Sequence, residues 1–418
     1  MSSDYGKYVW QKHAYGAHRQ FYVANNEISD EQYQEFKKVL ATFNNERQHH
    51  QHFQIYKGDK FPCFQKVNVG FESDSTYGRF LKANQSIHFN QEVFKSAPFA
   101  SAVEPTSHQF CLTCHKVPSQ TEHDTFIQCS QCINVFFCCI QCKIDNQSHK
   151  FECDTIFRHI TDLDIKLSIQ MVLEAMTLFA TVNQLQSYIE RIVDDKTLSQ
   201  SIPVGCFDKV ARLDCIMRLC PSPLDQKICE KASLAYKFVM EIPVIKMNFK
   251  LKSQTRFLKH LLMHFLGVID ANAIVAHIKV SKSTQLKRLL IYEVFSFFNH
   301  SCCPNVFYYL QQNNNVMIGR ANHTINQNEQ LFINYEFFYD NNTEERRQYI
   351  EENWKFICHC NRCEQDVTEE SRQRAEEMSL DELKTQLNTT DMTTWRRQHC
   401  AYILRYMQLM NRPQLNIR

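Results

Sequence analysis

Across residues 155–290 apolar side chains recur at intervals of three and four, as in Leu167, Ile169, Met171, Val172, Met176 and Phe179. That is the period of an amphipathic helix, and it predicts a long helical stretch. The most apolar run, Phe257 to Ile278, reads as a buried helix pair. Lys259, His260, His264 and Asp270 interrupt it, so it lacks the stretch of about 18 uncharged residues that a membrane span needs. On either side of the helical stretch the pattern shortens. Lys66–Phe71, Arg79–Ala83 and Glu92–Phe94 are β-rich runs between polar turns such as Asp74-Ser75 and Asn84-Gln85-Ser86, which predicts a small antiparallel sheet. Strands are expected again at Val306–Leu310, Val316–Arg320 and Gln330–Tyr335, followed by two short helices, Leu380–Leu387 and Thr393–Met410. Near the start, Ser29-Asp-Glu-Gln32 has the spacing of a capping box and opens a helix through about Asn45.

Composition adds less. Of 418 residues, 44% are apolar and 22% charged, with a formal charge of +2, the profile of an ordinary globular chain. No global field argues for nucleic acid or an anionic membrane, so neither is expected as a direct partner. Residues 1–20 lack the apolar core of a secretory signal, which places the expected location in the nucleus and/or cytoplasm. Glycine is scarce, at 8 residues, so each one invites a reason.

The cysteines carry the chemistry. Eight of 19 fall between 111 and 153, where even spacing would put about two. They run Cys111-x2-Cys114-x14-Cys129-x2-Cys132-x5-Cys138-x3-Cys142-x6-His149-x3-Cys153, with Cys139 beside Cys138. A Cys-x2-Cys knuckle offers two thiolates from one tight turn, and zinc takes four such ligands tetrahedrally. Four pairs therefore suit two structural zincs. So short a segment cannot bury a core of its own, and structural zinc supplies about 10–16 kcal/mol in such modules. Cys63, Cys206, Cys215, Cys220, Cys229 and Cys400 lie apart and read mostly as small buried hydrophobes.

This arrangement, with Phe136-Phe137 before Cys138, resembles the MYND zinc finger. The resemblance implies interleaved sites, Cys111, Cys114, Cys138 and Cys142 on one ion, and Cys129, Cys132, His149 and Cys153 on the other. Cys139-x2-Cys142 is also a knuckle, so Cys139 stands as a competitor of Cys138. MYND fingers commonly bind proline-rich peptides, which implies a peptide partner. Asn146 occupies the place where the family usually carries tryptophan.

Phe298-Asn299-His300-Ser301-Cys302-Cys303-Pro304-Asn305 resembles the NHSCxPN motif of SET-domain lysine methyltransferases. Glu329-Gln-Leu-Phe-Ile-Asn-Tyr335 and Cys358-x-Cys360-x2-Cys363 follow in the order that family shows. Together the motifs resemble the SET-and-MYND family over about residues 64–365. The fold implied is α+β, a SET-domain β-clip with an inserted MYND zinc finger, a central helical insert, a post-SET zinc cluster and short C-terminal helices. The corresponding segments are 1–62, 63–110, 111–153, 154–290, 291–340, 341–365 and 366–418. The family draws the fourth ligand of its last zinc from the NHSC cysteine, which implies Cys302 with Cys358, Cys360 and Cys363; Cys303 is the alternative.

The activity implied is transfer of a methyl group from S-adenosylmethionine to a lysine of a histone or non-histone protein. The family pattern places Asn299 and His300 against the cofactor and Phe356 on its adenine. Arg79 falls in the loop closing over it, and Asn272 in the helical insert beside it. Tyr335 lines the lysine channel as the catalytic residue. Two positions depart from the pattern. The second glycine of the cofactor loop is Phe80, and the second active-site tyrosine is Trp354, which cannot accept a hydrogen bond. Tyr349, five residues earlier, could stand in if the local alignment slips. Two readings follow, a lysine methyltransferase and a catalytically impaired adaptor that binds protein partners in transcriptional regulation.

Overall fold

The computed structural model describes residues 29–48, 69–74, 78–119, 125–132, 135–193, 207–220, 224–281, 283–311, 315–336, 342–354, 356–365, 367–389 and 397–410. The chain divides into two compact units, one from residues 1–54, 99–292 and 312–314, the other from 55–98, 293–311 and 315–418.

The first unit is helical, with one small sheet and the cysteine-rich segment. Helices Leu163–Thr177, Gln226–Val239 and Lys252–Asn272 pack on one another, burying Leu167, Leu173, Ala232, Leu258, Leu262 and Phe265. Their starts are written in the sequence. Asp162 accepts the N–H groups of Asp164 and Ile165, Asp225 accepts that of Ile228, and Gln254 Oε1 accepts that of Leu251. Helix Asp30–Gln48 begins where expected, with Ser29 Oγ accepting the Gln32 N–H, and packs on the same bundle. Lys259 lies buried between the Phe36 and Tyr236 rings, paired with Glu35 at 2.5 Å.

The helical expectation over 155–290 is corrected at its end. Phe257–Ile278 is not a helix pair. One helix runs through to Asn272 and is followed by strand β7 (Ile274–Lys279), then β8 (Gln285–Ile291). With β4 (Ala100–Val103) they form an antiparallel sheet in the order β4-β8-β7, with Ala100 opposite Ile291 and Ile274 opposite Leu290. The alternation in Ile274-Val-Ala-His-Ile-Lys279 has a strand's period, which an overlapping helical spacing concealed.

The second unit carries β1 (Val69–Asp74) and β2 (Gly78–Ala83) as a hairpin, and a three-stranded sheet in the order β10-β11-β3. Its strands are β3 (Glu92–Ser96), β10 (Val306–Leu310) and β11 (Met317–Ala321). The expected strands match these within a few residues; residues 66–68 of the first lie outside the described residues. Gly319 faces Phe94 across β11 and β3, and a Cβ on it would stand 2.0 Å from that ring. This glycine exists to admit a neighbour's aromatic ring.

Among the described residues the tail holds three helices in place of the two expected, Glu369–Glu376, Leu380–Thr389 and Arg397–Met410. They bury Leu383, Leu387, Ile403, Tyr406 and Met407 against Cys303 and Phe307. Residues 393–396 of the last expected helix lie outside the described residues. The first helix is almost wholly polar, Glu-Glu-Ser-Arg-Gln-Arg-Ala-Glu, which leaves no apolar stripe to read. Among the described residues no single helix is long and apolar enough to cross a membrane.

Candidate functional site

Among the described residues, three groups of four side chains bring their ligand atoms within 4.8 Å of one another: Cys111, Cys114, Cys138 and Cys142; Cys129, Cys132, His149 and Cys153; Cys302, Cys358, Cys360 and Cys363. Donors placed about 2.3 Å from a tetrahedral centre stand about 3.8 Å apart. The observed Sγ separations are of that size: 3.6 Å for Cys114–Cys138, 3.5 Å for Cys138–Cys142, 3.7 Å for Cys129–Cys153, and 3.9 and 3.6 Å from Cys302 to Cys358 and Cys363. The donor chemistry and spacing fit zinc.

Backbone geometry builds these groups. In the first knuckle the Cys111 carbonyl accepts the His115 N–H, and His115 adopts a left-handed φ of 61°. Two-residue strands β5 (Ile127–Gln128) and β6 (Phe136–Phe137) pair antiparallel and hold the second knuckle. Cys139 is exposed, with its Sγ 3.9 Å from that of Cys138, and it is Cys138 that completes the group of four with Cys111, Cys114 and Cys142. Cys303 is packed among the C-terminal helices, 3.8 Å from the Cys400 carbonyl, which leaves Cys302 as the inward sulfur.

Two supporting contacts lie outside the motifs. His149 Nδ1 stands 2.5 Å from Glu152 Oε1, both buried, while Nε2 faces Cys129 and Cys132 at 3.4 and 3.9 Å. A carboxylate holding the far nitrogen orients a histidine ligand. The signal in the sequence is Glu152 between the last two ligands. Asn146 Oδ1 accepts the His149 N–H, so this residue braces the finger from within.

In the second unit, β9 (Asn299–His300) runs parallel to β12 (Phe332–Ile333), with Phe332 opposite Asn299 and Ile333 opposite His300. Asn305 locks this crossing. Its Nδ2 donates to the Gln330 carbonyl at 2.7 Å and its Oδ1 accepts from the Phe332 N–H at 2.7 Å. On the other side, the Leu331 N–H donates to the Leu81 carbonyl, which ties the same segment to β2.

Around the crossing gather most of the expected site residues. The Tyr335 hydroxyl donates to the Phe298 carbonyl at 2.8 Å, and its backbone N–H donates to His300 Nδ1 at 3.1 Å. The His300 ring lies 5.2 Å from that of Tyr335 and 6.2 Å from that of Phe356. Trp354 packs 5.3 Å from Tyr335, and Tyr349 stands behind it at 6.0 Å from Trp354. Asn299 is half-buried, and Phe356 presents an apolar ring that is 37% exposed. The Arg79 guanidinium sits over the Phe297 ring at 5.6 Å, while Phe80 turns into the core. Asn272 belongs to the other unit, where its amide donates to the Val268 and Leu219 carbonyls.

The electrostatics follow from burial. Desolvation pushes the His300 pKa down to about 4 and the Tyr335 phenol up, so both are neutral at ordinary pH. His300 Nε2 lies 3.3 Å from Cys302 Sγ, so both ring nitrogens already have protein partners. Any contact of His300 with a bound ligand runs through its backbone or ring face.

A sheet threaded by an Asn-His-Ser-Cys strand, tied through Cys302 to a C-terminal cysteine cluster, with a two-cluster cysteine–histidine finger upstream, defines a SET-domain protein with an inserted MYND finger. The chain belongs to the SET domain family, whose profile matches residues 33–336. It is 27% identical over 206 residues to the potential protein lysine methyltransferase SET6 of Saccharomyces cerevisiae, an overlap of 43% of this chain and 54% of that protein. Two SET and MYND domain-containing proteins of Dictyostelium discoideum match at 24% identity (69% of this chain, 58% of the relative) and 22% identity (71% and 81%). The chain thus spans a little over half the length of the first two relatives. A solved SET domain of LSMT bound to lysine and AdoHcy aligns over 90% of this chain and 89% of that one, at 10% identity and a TM-score of 0.27, too distant to carry weight.

Proposed function

We propose that this protein transfers a methyl group from S-adenosylmethionine to a lysine of a histone or non-histone protein. The observation that carries the reading is Tyr335, half-buried and held at both ends, by its N–H on His300 and its hydroxyl on the Phe298 carbonyl. Burial keeps the phenol protonated, so its proton points at Phe298 and its oxygen lone pairs are left to orient an approaching amine. Desolvation in the proposed lysine channel also favours the neutral amine over the ammonium, and only the neutral amine can attack. S-Adenosylmethionine supplies the methyl. The exposed face of Phe356 suits its adenine, Asn299 and the His300 backbone its polar groups, and Arg79 is proposed to complete its binding. The three cysteine clusters are proposed to hold zinc as closed structural sites.

A second reading has one observation behind it. Trp354 lies against Tyr335 where a smaller tyrosine would leave room and a hydroxyl, so the channel can be too narrow for turnover. The protein would then be an adaptor, and a peptide partner at the finger belongs to that reading.

Calorimetric titration of zinc-loaded protein with S-adenosylmethionine, followed by label transfer from it to histones and to the protein itself, tests the proposal. Saturable one-site binding with transfer is expected. Folded, zinc-replete protein that binds no S-adenosylmethionine would overturn it in favour of the adaptor.

A further inference from the structure

We infer that His300 is a positioning residue that ties the Cys302 metal cluster to Tyr335 through its ring. The kinetic half of this inference rests on the methyltransferase reading; the structural half does not.

The direction of each hydrogen bond is forced. A backbone N–H can only donate, so the 3.1 Å contact from Tyr335 N makes His300 Nδ1 the acceptor and leaves it without a proton. The one proton of the neutral ring therefore sits on Nε2, which lies 3.3 Å from Cys302 Sγ. A metal-bound thiolate is an acceptor, so the bond runs from His300 to the cluster. The ring is 6% exposed, so water does not compete for either nitrogen. Two residues upstream of Tyr335, Ile333 is paired with His300 itself across β9 and β12, which fixes the distance that the ring spans. Contacts of this kind set ligand orientation and basicity at metal sites, and losing one costs about 10- to 100-fold in metal affinity. Here the same ring also holds the backbone of the residue whose hydroxyl rests on Phe298. Metal occupancy at one end and tyrosine placement at the other are thereby joined by one side chain.

Two substitutions separate the ends of the ring. In His300→Asn the amide oxygen takes the place of Nδ1, and nothing reaches Cys302. In His300→Gln the amide nitrogen takes the place of Nε2, and nothing accepts the Tyr335 N–H. Zinc affinity of the full chain is read by chelator competition, placement of Tyr335 by hydrogen exchange of its amide, and catalysis by kcat against KM. His300→Asn should lose about 10-fold or more in affinity for one of the zincs while protecting the Tyr335 amide. His300→Gln should keep that zinc, expose the amide, and lower kcat more than KM for S-adenosylmethionine. If both variants behave alike, or neither changes zinc affinity, the inference fails.

Wild-type protein gives a check that survives misfolding of either variant. Long-range proton–nitrogen correlation on the folded, zinc-loaded protein should show His300 held as the Nε2–H tautomer. A Nδ1–H or averaged tautomer at His300 overturns the inference outright. The zinc, exchange and tautomer readouts need no turnover. If they hold while the wild-type chain transfers no methyl group, it is the methyltransferase reading that has failed.

Discussion

Trp354 and Asn305 show how far one residue reaches. Trp354 packs on the tyrosine that the proposed chemistry needs, and its indole donates one hydrogen bond but accepts none. Trp354→Tyr restores a hydroxyl and frees volume beside Tyr335, and should raise kcat for methyl transfer about tenfold, equivalent to about 1.4 kcal/mol of barrier. Unchanged kcat with intact S-adenosylmethionine binding would show that Trp354 is not what limits the reaction. Asn305 acts through the backbone. Asn305→Ala removes both 2.7 Å bonds and leaves the Phe332 N–H and the Gln330 carbonyl without this partner. Urea denaturation should register a loss of about 2–4 kcal/mol; a loss below about 0.5 kcal/mol would mean that the β9–β12 crossing does not depend on it. The motif string in the sequence contains Asn305, but its role became visible only when 305 and 330–332 lay side by side.

At the scale of elements, packing decides what local pattern leaves open. The 316–320 run reads as a strand from its residue types, yet nothing local explains Gly319. The explanation is Phe94, opposite it on β3, whose ring occupies the space a Cβ would need. Gly319→Ala should destabilise the protein by about 1–3 kcal/mol through overpacking, and Phe94→Leu in the same chain should recover part of that loss. Helix Leu163–Thr177 offers a pH test. Lys166 is buried, donates to the Val103 carbonyl of β4 at 2.8 Å, and has its pKa pushed down to about 7 by desolvation. In the unfolded chain it returns to about 10.4. Between those values the unfolded state holds a proton that the folded state has lost, so this group makes stability rise with pH from about 7 towards 10. Lys166→Met should flatten that part of the profile in urea titrations. An unchanged slope would assign it to other groups.

For the whole molecule, the three groups of four cysteine or histidine side chains among the described residues lead to the prediction that folding depends on zinc. Purified protein should carry about three zincs per chain. Strong chelation should unfold it cooperatively, given the roughly 10–16 kcal/mol that such a site contributes. Cys302→Ser should release one zinc and spare the other two, whereas Cys139→Ser should release none; elemental analysis of each variant decides between Cys138 and Cys139. Much of this was legible in the chain alone, because metal ligands and caps are short-range signals. Paired cysteines come from single turns, and a serine or aspartate before a helix satisfies N–H groups two or three residues away. The NHSC string, the cysteine clusters and most strands belong to this kind. What only the tertiary structure decided depends on contacts between distant segments: that 285–291 pairs with both 100–103 and 274–279 in one sheet, that Cys302 and not Cys303 faces the C-terminal cysteines, and that both nitrogens of His300 are engaged by protein. Periodicity records which face of an element is apolar but not what covers it, and the partner across a strand or ring appears in the chain only as a residue far away.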